Sequence, residues 1–199
     1  MKTTFTLLFC MAILNVFAQD QLEWKPNQKL QLTDFKSPQS KVDPSMNNLL
    51  YLTGAQMEFS YQMTVAEFTF TKNFNNRVKT VFRKSSSTII ANDSTNAQHM
   101  VALGNYEFDL VELYSRKLRK ALYENKNAFS DARFFQPIHE KINDALNQKR
   151  NEVSTVSDLG RKADYLQKEH ELVLKEIEEL ADFAIDAKPK KKKKNKARK

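Results

Sequence analysis

Cysteine is almost absent from this chain. Its one thiol, Cys10, lies inside an N-terminal apolar run, so a chain cleaved behind that run keeps no cysteine. Disulfides, cysteine nucleophiles and Cys-ligated zinc are thereby excluded. Glycine is nearly as scarce, with only Gly54, Gly104 and Gly160 among 199 residues. Phosphate-cradling loops and dinucleotide fingerprints need clustered glycines, so neither is present. The G-x-S-x-G elbow of serine hydrolases is missing as well. Beyond the N-terminus no apolar run approaches the ~20 residues that a bilayer span requires. Only three histidines occur: His99, His139 and His170. His139-Glu140 begins like a zinc-protease motif, but Asn143 stands where the second imidazole belongs. His170-Glu171 likewise ends on Leu174.

What is present begins with an export signal. Lys2 supplies the positive start, Phe5 to Leu14 an apolar run, and Val16-Phe17-Ala18 small residues before Gln19. This is the pattern of a cleaved secretory signal over residues 1–18. A lipoprotein reading on Cys10 fails, because Phe9 before it is too bulky. The expected location is therefore periplasmic or extracellular. Removing 18 residues from 199 leaves 181, enough for one self-sufficient core at 19–187 and a tail at 188–199.

The net charge of +8 belongs to that tail. From Lys188 onward there are nine basic residues and no acidic one. Taking nine from 32 leaves 23 against 24 acidic residues in the rest of the chain. Such a segment cannot bury apolar surface and repels itself, so disorder is expected. Lys190, Lys191, Lys192, Lys193, Lys194, Lys196, Arg198 and Lys199 are the candidate polyanion-binding residues. Behind an export signal their partners would be anionic lipid headgroups, lipopolysaccharide, acidic polysaccharide or nucleic acid. The plainer alternative is a solvated tail with no dedicated partner.

From Leu49 to Ile90 the apolar pattern has a period of two. Met57, Phe59, Tyr61 and Met63 alternate with polar residues, as do Phe68 and Phe70, and the runs 78–83 and 87–90 follow after Asn75-Asn76. One apolar face per strand predicts an antiparallel sheet covered on one side. After Asn92-Asp93-Ser94 the period becomes helical. A first helix capped by Ser94 or Thr95 runs to about Leu122, with a kink or break possible at Gly104. A second starts near Pro137, and a third spans about Lys162 to Ala187. The third carries the stripe Leu166, His170, Val173, Ile177 and Leu180, which fits packing on the domain's own sheet or a dimeric coiled coil. The fold class expected is α+β, an antiparallel sheet followed by about three helices packed on it.

The most informative segment is Leu103-Gly104-Asn105-Tyr106-Glu107-Phe108-Asp109-Leu110-Val111-Glu112-Leu113, continuing to Arg116-Lys117-Leu118-Arg119-Lys120. From Phe108 onward it resembles a family of secreted bacterial proteins described as predicted zinc-dependent proteases, in which H-E-x-x-H runs into F-D-x-x-E-L-x-x-R-x-L-R. A second likeness is Trp24 with Asp34-Phe35-Lys36, and a third is Gly160 with Gln167. The resemblance implies a zincin-like helix whose chemistry is missing. Its histidine positions fall on Leu103 and Glu107, its catalytic glutamate on Gly104, and two further functional positions on Val153 and Leu159.

Leucine has no lone pair for a metal, and glycine has no side chain to move a proton. Glu107 remains a weak candidate ligand, as does Glu112 at the place of an acidic third ligand. Two carboxylates without imidazole suit zinc poorly, and Glu112 can instead pair with Arg116 one turn on. A site assembled from His99, His139, Glu107 and Glu112 is the alternative. No cofactor is expected. The sequence thus points to an exported, catalytically inactive homologue acting as a binding or structural protein of the cell envelope. The competing readings are an active metal-dependent hydrolase with a rearranged site and, on the tail alone, a nucleic-acid binder.

Overall fold

Among the described residues six short strands form two sheets, and four of the six come from the period-two stretch 49–90. A computed structural model describes residues 20–60, 62–127, 130–131 and 133–189. In the first sheet β5 (Val78–Arg83) lies between β1 (Gln21–Glu23) and β4 (Ala55–Phe59), both antiparallel to it. In the second, β6 (Thr88–Ala91) lies between β2 (Lys41–Val42), parallel, and β3 (Leu50–Leu52), antiparallel. The inner strands β5 and β6 carry the buried residues Val78, Val81, Phe82 and Ile89.

The alternation at Phe68 and Phe70 does not make a strand. Residues Val65–Phe70 form a short helix, α1. Thr64 Oγ1 accepts from the Glu67 backbone N–H at 3.1 Å, and the Glu67 carboxylate accepts from the Thr64 N–H at 3.4 Å. This reciprocal cap satisfies two orphan donors and outweighs the β preference of phenylalanine.

Three long helices follow: α2 (Ser94–Asn125), α3 (Phe135–Val156) and α4 (Ala163–Glu179). The cap of α2 is Asp93, one residue before the expected position, accepting from Asn96 N–H at 2.7 Å. The helix passes through Gly104 without a break. A Cβ there would lie 2.8 Å from Phe35 Cζ, so the missing side chain lets the Phe35 ring pack directly on the helix. Only α2 lies broadly across both sheets. Contrary to the expectation that all three helices cover the sheet, α3 and α4 pack chiefly on α2. The stripe Leu166, Val173 and Ile177 is buried within the chain's own core, which accounts for its periodicity without a coiled coil.

α4 ends at Glu179, short of the expected Ala187. Beyond it Asn75, a buried side chain, reaches the carbonyls of Asp182, Ala184 and Ala187 at 3.2, 3.0 and 3.0 Å. Those carbonyls find donors outside a helix, so the chain leaves its helical path. The turn between α3 and α4 holds Asp158, Leu159 and Gly160 at φ of 55°, 55° and 89°. A Cβ on Gly160 would lie 2.3 Å from the His99 carbonyl oxygen.

Candidate functional site

α2 buries five polar side chains of the Phe108–Lys120 segment: Asp109, Glu112, Ser115, Arg116 and Arg119. Glu112 is 3% exposed and receives three donors. Arg116 Nε donates at 2.8 Å, Arg119 Nη1 at 2.9 Å, and the Thr80 hydroxyl of β5 at 2.8 Å. Both guanidinium groups are engaged further. Arg116 Nη1 donates to the Ile177 carbonyl at 2.7 Å. Arg119, only 1% exposed, donates to the carbonyls of Val78 and Phe183. The expected Glu112–Arg116 pair is therefore present and forms part of a larger network. That network binds α2 to β5, α4 and the segment after α4.

One turn away, Asp109 Oδ1 accepts from Trp24 Nε1 at 2.6 Å, and its Oδ2 lies 2.7 Å from His170 Nε2. The Trp24 ring also carries the Arg116 guanidinium 5.5 Å from its centre. Trp24 is thus a polar anchor as well as an apolar one, and His170 is held by a carboxylate within the core stripe. The Tyr106 ring packs edge-on to His170 at 5.9 Å, and its buried hydroxyl has no hydrogen-bond partner among the described residues.

Glu107 sits in different surroundings. It is 1% exposed. The Tyr51 hydroxyl donates to its Oε2 at 3.2 Å, and Arg150 Nε stands 3.6 Å from the same oxygen. Burial pushes its carboxyl up to about 7, against the smaller opposing pulls of Arg150, Tyr51 and Thr53. Burial and the neighbouring Glu107 charge also raise the Tyr51 phenol well above its ordinary value.

The residues proposed for a rearranged metal site are not brought together. His99 lies toward the turn at Gly160, and His170 is occupied by Asp109. His139 lies against the Phe59 ring, in a groove of about 850 Å³ lined also by Met63, Val65, Phe68 and Phe135. Among the described residues no three His, Asp or Glu side chains form a metal-binding group. The donor set does not suit zinc on its own chemistry either. Glu112 is filled by cations, and Glu107 has a phenol and a guanidinium beside it. Leu103 is a fully buried core residue, and Gly104 lies against Phe35.

The tail candidates Lys190, Lys191, Lys192, Lys193, Lys194, Lys196, Arg198 and Lys199 lie outside the described residues, as does the segment 1–18 expected to be an export signal. Among the described residues no helix is long and apolar enough to cross a membrane. Comparison with family models, with curated proteins and with solved structures finds no match for this chain.

Reading the sequence alone singled out Glu112 with Arg116 but missed Arg119, Thr80, Asp109 and Arg150. One local signal was available. Glu112, Arg116 and Arg119 recur at i, i+4 and i+7, so three charges share the helix face that also carries Phe108 one turn earlier. Charges on an apolar face imply buried pairing.

Proposed function

We propose that this chain is an exported, catalytically inactive relative of the predicted zinc-protease family that its central helix resembles. It acts by binding, as a component of the cell envelope, and its basic tail holds it at a polyanionic surface. One observation carries the reading: the positions where the resemblance would place metal ligands and base are committed to the core. Leu103 and Gly104 pack against neighbours, and Glu112 is neutralised by two arginines and a threonine. The polar residues that the segment shares with the family, Asp109, Glu112, Arg116 and Arg119, support a role in holding the helix in place. A carboxyl poised near neutrality, as at Glu107, is what a proton-transfer residue needs. Here, however, it is sealed from solvent and no substrate can reach it.

The test is the metal content of the mature chain, Gln19 to Lys199, after equilibration with trace zinc. No bound zinc and no peptidase activity are expected. Near-stoichiometric zinc that is lost in Glu107→Gln would overturn the reading in favour of a metal-dependent hydrolase.

A further inference from the structure

The polar network around Glu112 is open on one side. A pocket of about 260 Å³ meets it between the end of β1, β5 and residues 184–186. The polar part of the lining is Thr80, Glu112, Arg116 and Arg119, all buried. The apolar part is Trp24, Pro26, Ala184 and Ile185. The two guanidinium groups are not equally satisfied. Arg119 directs Nε and both Nη atoms to Glu112 and to the carbonyls of Val78 and Phe183. Arg116 gives Nε to Glu112 and Nη1 to the Ile177 carbonyl. Its Nη2 has no hydrogen-bond acceptor among the described residues, although the side chain is only 7% exposed. A buried donor of this kind calls for an acceptor, and the pocket is where one can enter.

The charges around the pocket leave one cation over. Glu23 is paired with Lys79, and Lys25 and Asp186, both exposed, balance each other. Glu112 brings one negative charge to two guanidinium groups, which stay protonated at any ordinary pH. Asp109, the next carboxylate, is engaged by the Trp24 indole and His170 and does not line the pocket. One net positive charge therefore remains, on the lining group that still has a donor free. Pockets for drug-sized ligands run from about 300 to 1,000 Å³, so this one takes something smaller. A carboxylate matches the planar guanidinium and carries the single charge required. Phosphate carries more charge at neutral pH and has nothing to set against the apolar lining.

We propose that this pocket binds a small monocarboxylate with a short apolar body. Its carboxylate sits on Arg116, and its apolar part lies against Trp24 and Ile185. The site deepens the preceding proposal by giving the same helix segment a ligand, and it rests on the reading of that segment as non-catalytic.

Trp24 is the single tryptophan of the chain, so its fluorescence reports on the pocket. The experiment is a titration of the mature chain, Gln19 to Lys199, with hexanoate and separately with hexanol and with hexylammonium. A saturable change is expected with hexanoate alone. Arg116→Lys keeps the charge but loses the guanidinium, and should weaken hexanoate binding by about tenfold or more. Because Arg116 also supports the fold, a second variant leaves the network intact. Ala184→Leu puts a larger side chain into the pocket and should weaken hexanoate to a similar extent, with thermal unfolding confirming a folded protein. The proposal is overturned if hexanoate gives no saturable response, if hexanol or hexylammonium matches it, or if Ala184→Leu binds like wild type. Protein treated with a chelator should bind hexanoate unchanged, and loss of the response there would also overturn it. Zinc content is measured on untreated protein, so failure of the non-catalytic reading and failure of the carboxylate site are told apart.

Discussion

Glu107 and Glu112 lie five residues apart on one helix, both nearly inaccessible to water, yet they meet opposite surroundings. Glu112 faces β5 and the end of α4, where two guanidinium groups and a hydroxyl converge on it. Glu107 faces β3 and α3, where it has one phenol and a guanidinium beyond hydrogen-bond distance. Burial of a charge is costly unless it is paired and hydrogen-bonded. The first carboxylate meets that condition and ties elements together. The second meets it in part, and its carboxyl is pushed up to about 7. A buried acid on this helix is therefore a staple or a liability according to how many donors reach it.

The largest effect should come from breaking the staple. Glu112→Gln leaves Arg116 and Arg119 buried without a counter-charge and should cost about 3–5 kcal/mol of folding stability, read by urea denaturation. A loss under ~1 kcal/mol would mean that the two arginines are held by their carbonyl partners alone.

The liability should appear as pH dependence. The folded-state pKa of Glu107 is raised from 4.5 to about 7. Its stabilising contribution is therefore complete below about 4.5 and lost as pH rises through about 7. The difference amounts to about 3 kcal/mol at ~1.4 kcal/mol per unit. Glu107→Gln should remove this part of the pH profile and make the protein relatively more stable above neutrality. Denaturation midpoints at mildly acidic and mildly alkaline pH check it, and parallel profiles for the two proteins would contradict it.

A smaller effect is expected at Gly104, which packs against Phe35 on the Glu107 side of the helix. Gly104→Ala gains ~1 kcal/mol of helix propensity. It also forces the buried Phe35 ring away from a contact at 2.8 Å, at a cost of ~1–3 kcal/mol. A net loss of ~1 kcal/mol is expected, relieved when Phe35→Leu is added. An additive double mutant would show that the ring is not what demands glycine.

The legible parts of the fold were those with local causes. The switch of period at Asn92-Asp93-Ser94 located the start of α2 to within a residue, and the run 78–83 is β5 as read. The Glu112–Arg116 pair was visible because one helical turn brings the two together whatever surrounds them. Phe68 and Phe70 misled, because an alternating pair of aromatics looks alike in a strand and in a capped helical turn. The Thr64-x-x-Glu67 box was the signal that could have decided it. The far end of α4 was misplaced because its stop signal is Asn75, more than a hundred residues earlier in the chain.

By itself the sequence determined a near-neutral body with a basic end, no cysteine after Cys10, and sheet-forming residues ahead of helix-forming ones. These follow from composition and from repeats of two and 3.6 residues, which act over neighbouring positions. Only the tertiary structure decided which buried acid is satisfied, that His170 and Trp24 meet at Asp109 across 61 and 85 residues, and that Asn73 and Asn75 hold the Ala187 carbonyl. Such pairings depend on which surfaces are pressed together when the core closes, and no local pattern encodes that choice.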